Sequence, residues 1–182
     1  MRGCRAQRTC AGFTLVEVLV ALFVVVLGVA GAASVQTLAV RAAGEAARMS
    51  DGTQLAESLA QRMRANPAAM ALPDGANPYL SFDLEPGAAL PAAVSCYGDA
   101  ACTPAQMAAL DLFETATALA DRFPGARMRV CRDDQEAEAS GLLFWPCSDA
   151  PGAPVVIKLS WRGDPGAPDA PMIFLPVGAA GP

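Results

Sequence analysis

The sequence contains no histidine, and its 182 residues include a single lysine, Lys158. Without histidine there is no His-based catalytic triad, no His metal ligand and no imidazole proton shuttle. With one lysine, set in Ile157-Lys158-Leu159, a phosphate loop ending in Gly-Lys-Ser/Thr is absent. A basic stripe is missing too: the formal net charge is −5, which speaks against a surface for duplex nucleic acid. No Cys-x-x-Cys pair occurs, so a Cys-only zinc site has little support. The serines, Ser140 among them, have no base to activate them as nucleophiles. The sequence therefore predicts no catalytic residue, no metal ligand and no cofactor.

What the chain has in excess is apolar surface. Hydrophobic residues make up 53% of it, and a large share lies in one run near the N-terminus. Residues 1–12 carry Arg2, Arg5 and Arg8 and no acid. From Val18 to Val40 there is no charged side chain, a stretch of 23 residues, enough to cross a hydrocarbon core of roughly 30 Å. Arginines on the N-terminal side predict that this end stays cytoplasmic and the remainder is exported. A secretory signal has a shorter run, about 7–15 residues, followed by its cleavage site; here the predicted break precedes the run. Glu17 stands at the head of the apolar stretch. A carboxylate there costs about 2.5–3.5 kcal/mol at mid-membrane and less near the interface, where it can snorkel to the headgroups.

The segment Gly12-Phe13-Thr14-Leu15-Val16-Glu17-Val18-Leu19-Val20-Ala21-Leu22 resembles the class III signal of type IV prepilins and pseudopilins. The resemblance implies cleavage by the prepilin peptidase between Gly12 and Phe13, N-methylation of Phe13, and pairing of Glu17 with the N-terminal ammonium of a neighbouring subunit. The physics agrees: a cation and a carboxylate, each costly alone in an apolar setting, become one pair. Phe13 and Glu17 are four residues apart and so share a helix face.

Helical periodicity continues through Val35, Leu38, Ala42, Ala46, Met49, Ala56, Leu59, Ala60 and Met63. Arg41, Glu45 and Arg48 lie on another face. Asn66-Pro67 should end the helix, because a residue before proline is pushed out of the helical region. One helix is thus expected from Phe13 to Ala65, about 80 Å at 1.5 Å per residue, with its Ala-rich stripe packed on the protein's own head in preference to a coiled-coil face. Residues 67–101 read as a long irregular connection. Thr103-Pro104-Ala105-Gln106 opens a second helix with a capping box and proline at its first position. Its apolar face runs from Ala109 to Phe123, and Pro124-Gly125 stops it.

Strands are expected at Ala126–Val130, Leu142–Trp145, Val155–Trp161 and Met172–Leu175, separated by Gly, Pro and Asp turns. The expected fold is α+β and type IV pilin-like: a long N-terminal helix, then a small head with one helix and an antiparallel sheet of three to four strands. The corresponding domains are a leader (1–12), the transmembrane and assembly half of the helix (13–40), its amphipathic half (41–66) and a globular head (67–182).

Six cysteines occur. Cys4 and Cys10 leave with the leader. The remaining four read as two disulfides, with three pairings open; the local pairing of Cys96 with Cys102 and Cys131 with Cys147 is preferred. Asp133, Asp134, Glu136 and Glu138 form an acid cluster without EF-hand spacing, which reads as a solvated turn, with a calcium site as the sharper alternative. Arg127, Arg129 and Arg132 read as a solvated sheet face, and Trp145 and Trp161 as core aromatics. Loss of the leader removes three arginines and leaves ten basic against 18 acidic side chains, which argues against direct nucleic-acid binding.

Two further segments, Leu55–Asn66 and Cys102–Ala108 followed by Asp111-Leu112, look like the corresponding segments of the PilV family of minor pilins. There a Trp is expected shortly after Asp111-Leu112, where Phe113 and Thr115 stand here. This resemblance implies a non-enzymatic subunit, held by the inner membrane and later by the pilus. Its implied partners are the prepilin peptidase/N-methyltransferase, other minor pilins, the major pilin and a tip adhesin. The alternatives are a minor pseudopilin of type II secretion and a periplasmic binding domain or enzyme on a single-pass anchor.

Overall fold

The structure is a computed structural model that describes residues 13–98, 101–135, 143–161 and 170–178. Its elements in chain order are α1 (Leu15–Ala65), α2 (Pro67–Met70), β1 (Asp83–Leu84), α3 (Pro104–Arg122), β2 (Arg127–Arg132), β3 (Val155–Ser160) and β4 (Ile173–Pro176), with one 3₁₀ turn at Asp74–Ala76. The chain divides after Arg48 into two units, and α1 contributes to both.

In the first unit every described side chain of α1 is exposed, from Leu15 at 76% through Leu22, Val26 and Leu38 to Val40 at 73%. This helix contains a stretch long and apolar enough to cross a membrane. Its few hydroxyls are turned back onto the helix: Ser34 Oγ donates to Gly31 O at 2.7 Å and Thr37 Oγ1 to Ser34 O at 2.8 Å. Such bonds satisfy polar groups without water. The helix starts at Leu15 rather than Phe13, because Thr14 caps it.

In the second unit the end of α1 is amphipathic and buries Leu55, Ala56, Leu59, Ala60 and Met63. They join Leu112, Ala116 and Leu119 of α3 with Met128, Val130, Ile157 and Leu159 of the sheet in one core. Burying a side chain of the size of Leu59 or Met63 stabilises by about 1.5–3 kcal/mol. The sheet is fully antiparallel in the order β1-β2-β3-β4, with Leu84 opposite Met128, Val130 opposite Ile157, and Ile157 opposite Leu175.

Two strand expectations are corrected. Leu143–Trp145, the described part of the Leu142–Trp145 run, is not a strand. The fourth strand is Asp83–Leu84, inside the connection read as irregular. Pro146 interrupts the apolar run, and the carbonyls of Phe144 and Pro146 are spent on Lys158 instead of a ladder. That segment lies on the face of β3 opposite the helices, so Val155 to Leu159 are all buried. Lys158, which alternation would turn to solvent, is 0% exposed.

Candidate functional site

The N-terminal end of α1 is built by local chemistry. Thr14 Oγ1 accepts from Glu17 N at 3.3 Å, and Thr14 O accepts from Val18 N at 3.3 Å. Thr14 thereby satisfies one of the helix's first unpaired donors. Thr14-Leu15-Val16-Glu17 has the spacing of a capping box, the signal that would have revealed Thr14 beforehand. The Glu17 side chain is exposed on an otherwise apolar surface, one turn from Phe13. Gly12, the other half of the expected cleavage site, lies outside the described residues, as does the rest of the expected leader, residues 1–12.

A second constellation sits where α1 meets α3. Arg62 Nη1 donates to Asp111 Oδ1 at 3.2 Å and to Glu114 Oε2 at 2.5 Å. Tyr79 OH donates to the other oxygen of Asp111 at 2.7 Å. Asn66 Nδ2 donates to Tyr79 OH at 3.2 Å and to Pro104 O at 2.8 Å. Tyr97 OH donates to Glu114 Oε1. Asn66, Tyr79 and Asp111 are buried. Burial, and then the bond to Asp111, push the Tyr79 hydroxyl well above its ordinary pKa, so it stays a donor. Hydrogen bonds from Tyr97 and then Arg62 hold the Glu114 carboxyl below the usual carboxylate range. Sequence reasoning singled out both flanking segments without assigning this lock. Its signal was Arg62 and Asn66 four apart at the end of one helix, and Asp111 and Glu114 three apart in the next.

Residues 34–113 match the family model described as Type IV pilin Tt1218, a span holding Arg62, Asn66, Tyr79 and Asp111. Residues 7–33 match the Prokaryotic N-terminal methylation motif. Over residues 7–113 the chain is thus similar to type IV prepilins. No curated protein and no solved structure matches it. The methylation motif implies processing by a prepilin peptidase in a pilus-assembly setting, and with the apolar helix it fits membrane anchoring. The matching pilin family is structural rather than enzymatic.

The cysteines of this prepilin-like head form two bridges, Cys96–Cys102 and Cys131–Cys147. The first closes a loop just before α3, whose capping box at Thr103 and Gln106 is fully formed. The second ties β2 to the segment that covers the outer face of the sheet.

The acid cluster is corrected at Asp133, which is 1% exposed rather than solvated. Asp133 Oδ2 lies 2.5 Å from Lys158 Nζ, and Oδ1 accepts from Gln135 N and Ser148 N, each at 3.1 Å. Burial raises the pKa of this carboxyl, but the bonds from Lys158, Gln135 and Ser148 outweigh it, and the group titrates below its ordinary value. The ammonium gives its two remaining hydrogens to Phe144 O and Pro146 O. Glu136 and Glu138 lie outside the described residues. Among those described, no group of three His, Cys, Asp or Glu is arranged to hold a metal.

The strand arginines are not a solvated face either. Arg127 reaches Asp83 at 3.0 Å and Glu85 at 3.2 Å and lies 4.6 Å over the Trp145 ring. Arg129 reaches Asp83 at 3.7 Å, and Arg132 reaches Asp74 at 2.7 Å. Asp83 belongs to β1, the strand that sequence reasoning missed, and its partners were missed with it. Trp161 is in the main core; Trp145 is buried on the opposite side of the sheet.

Proposed function

We propose that this chain is a minor pilin of a type IV pilus, of the PilV kind, and works as a structural subunit. The carrying observation is Glu17: a lone carboxylate on an exposed apolar helix, one turn from Phe13. Isolated, it is a cost to membrane insertion; opposite the ammonium that processing creates at Phe13 of a neighbour, it neutralises a second cost. In this reading residues 1–12 are a cytoplasmic leader cut after Gly12, and Phe13 is methylated. Residues 13–40 span the inner membrane and then pack in the filament, 41–66 carry the head, and 67–182 form the head in the periplasm and later outside the cell. The partners are the peptidase/methyltransferase, the other minor pilins that prime assembly, the major pilin and a tip adhesin. Twitching and attachment depend on the subunit through the filament, and ten basic against 18 acidic side chains after processing speak against direct nucleic-acid contact.

A minor pseudopilin of type II secretion is the second reading, since its signal would be the same. Resemblance of the segment Cys102 to Leu112, which opens α3, favours the pilus. Deleting the gene and measuring surface pili, twitching and the set of secreted proteins separates the two. Lost pili with normal secretion support the pilin; normal pili with lost secretion support the pseudopilin. Glu17→Ala is expected to abolish assembly with insertion intact, and normal assembly would exclude the role given to that carboxylate. An anchored periplasmic binding domain, the third reading, would tolerate this change.

A further inference from the structure

The burial of Lys158 depends on a segment outside its own sheet. Two of the three acceptors around Nζ are the carbonyls of Phe144 and Pro146, at 2.7 and 2.9 Å. The third, Asp133, is itself held by Ser148 N. Phe144, Pro146 and Ser148 flank Cys147, and Cys147 is bonded to Cys131. Cys131 is opposite Val156 in the β2–β3 pairing, two residues from Lys158 and on the same face of β3. The segment Leu143–Ser148 contributes no residue to the sheet. The Cys131–Cys147 bond is thus its covalent tie at the place where it covers the ammonium.

The geometry points to an oxidation-gated cover: forming the Cys131–Cys147 disulfide seats Leu143–Ser148 over the outer face of β2 and β3 and buries Lys158, and the dithiol form releases both. In the forward step two thiols lose two protons and two electrons, one S–S bond forms, and an acceptor disulfide of an oxidoreductase takes the electrons and leaves as a dithiol. In the released form water replaces the two lost carbonyls, because an ammonium left without its acceptors in a dry site is strongly disfavoured. The head then presents a different outer face before and after oxidation, and the difference centres on the only lysine. This goes beyond the assignment to a pilus and does not rest on it; it requires only that the two thiols meet an oxidant.

The full-length chain, purified in detergent, is exposed to an amine acylating reagent before and after dithiothreitol, and the peptide holding Lys158 is read by mass spectrometry. Hydrogen exchange of α3 is followed in the same samples. Lys158 is expected to resist acylation in the oxidised chain. After reduction its rate should rise at least about tenfold while α3 stays protected, the signature of local opening. The Cys131→Ser/Cys147→Ser chain should behave like the reduced protein, and Cys96→Ser/Cys102→Ser like the oxidised one. Equal acylation in both redox states overturns the inference, and so does continued protection after reduction. Loss of α3 protection together with Lys158 also overturns it, because the bond would then be holding the whole head rather than a cover.

Discussion

A Cβ placed on Gly52 would lie 2.6 Å from Cζ3 of Trp161, so the end of α1 seats against the indole only because glycine stands there. Trp161 also packs on Phe123, with ring centroids 5.0 Å apart, and Ile173 Cδ1 would lie 3.1 Å from the same added atom.

Gly52→Ala is therefore expected to destabilise the head. Alanine gains about 1 kcal/mol in helix propensity, while overpacking against the indole costs about 1–3 kcal/mol. Denaturant unfolding followed by tryptophan fluorescence measures the balance. A stabilised variant would mean that Trp161 has room to shift.

The buried pair Lys158–Asp133 predicts an asymmetry. Removing one partner, as in Asp133→Ala, leaves an uncompensated buried ammonium and should cost about 3–5 kcal/mol. The double variant Asp133→Leu/Lys158→Met should lose less than the sum of the single changes, since no charge remains to be desolvated. Additive losses in a double-mutant cycle would contradict the pairing.

Acid should weaken the head through Asp133 and Glu114. Both carboxyls titrate below their ordinary values in the folded state. Their contribution is present above the unfolded value, about 4 for carboxylates, and is lost as pH falls through the lower folded values. Unfolding free energy should then be nearly flat from pH 7 to about 5 and decline below about 4. Asp133→Ala should flatten that decline, and an unchanged acid limb in this variant would remove Asp133 from the account.

The lock between α1 and α3 should be cooperative. Arg62→Ala leaves Asp111 with Tyr79 alone, and Tyr79→Phe leaves it with Arg62 alone. Each should cost about 1–3 kcal/mol, the range for an underpaired buried polar group. In the double variant the two should show a coupling of about 0.5–3 kcal/mol because they share one carboxylate. Calorimetry on the four chains tests this, and a coupling of zero would mean that Asp111 is satisfied by water when either partner is lost.

What the sequence made legible was local. Thr103 and Gln106 announce the start of α3 because a capping box needs only four consecutive residues, and Asn66-Pro67 ends α1 for the same kind of reason. The period-two alternation of β2 and β3 was readable too. Illegible were features whose partners lie far along the chain. Asp83-Leu84 is too short to show a period, and it is a strand because Met128 and Arg129 lie beside it. Lys158 looks like an outward residue of a half-buried strand, and only Phe144 and Pro146, 14 and 12 positions away, make it an inward one. At the N-terminus the reverse holds. The motif that begins at Phe13 and includes Glu17 was legible because it is contained in a few consecutive residues, whereas the cap at Thr14, carried by the same residues, was passed over.

The Cys131–Cys147 bridge also makes the head tolerant of being cut. It encloses residues 132–146, and five of the six residue pairs that ladder β2 to β3, Arg127 to Cys131, lie outside that loop. A protease that severs any peptide bond between the two cysteines produces two polypeptides that still migrate as one species and still share a sheet. They part only when the sulfur–sulfur bond is reduced.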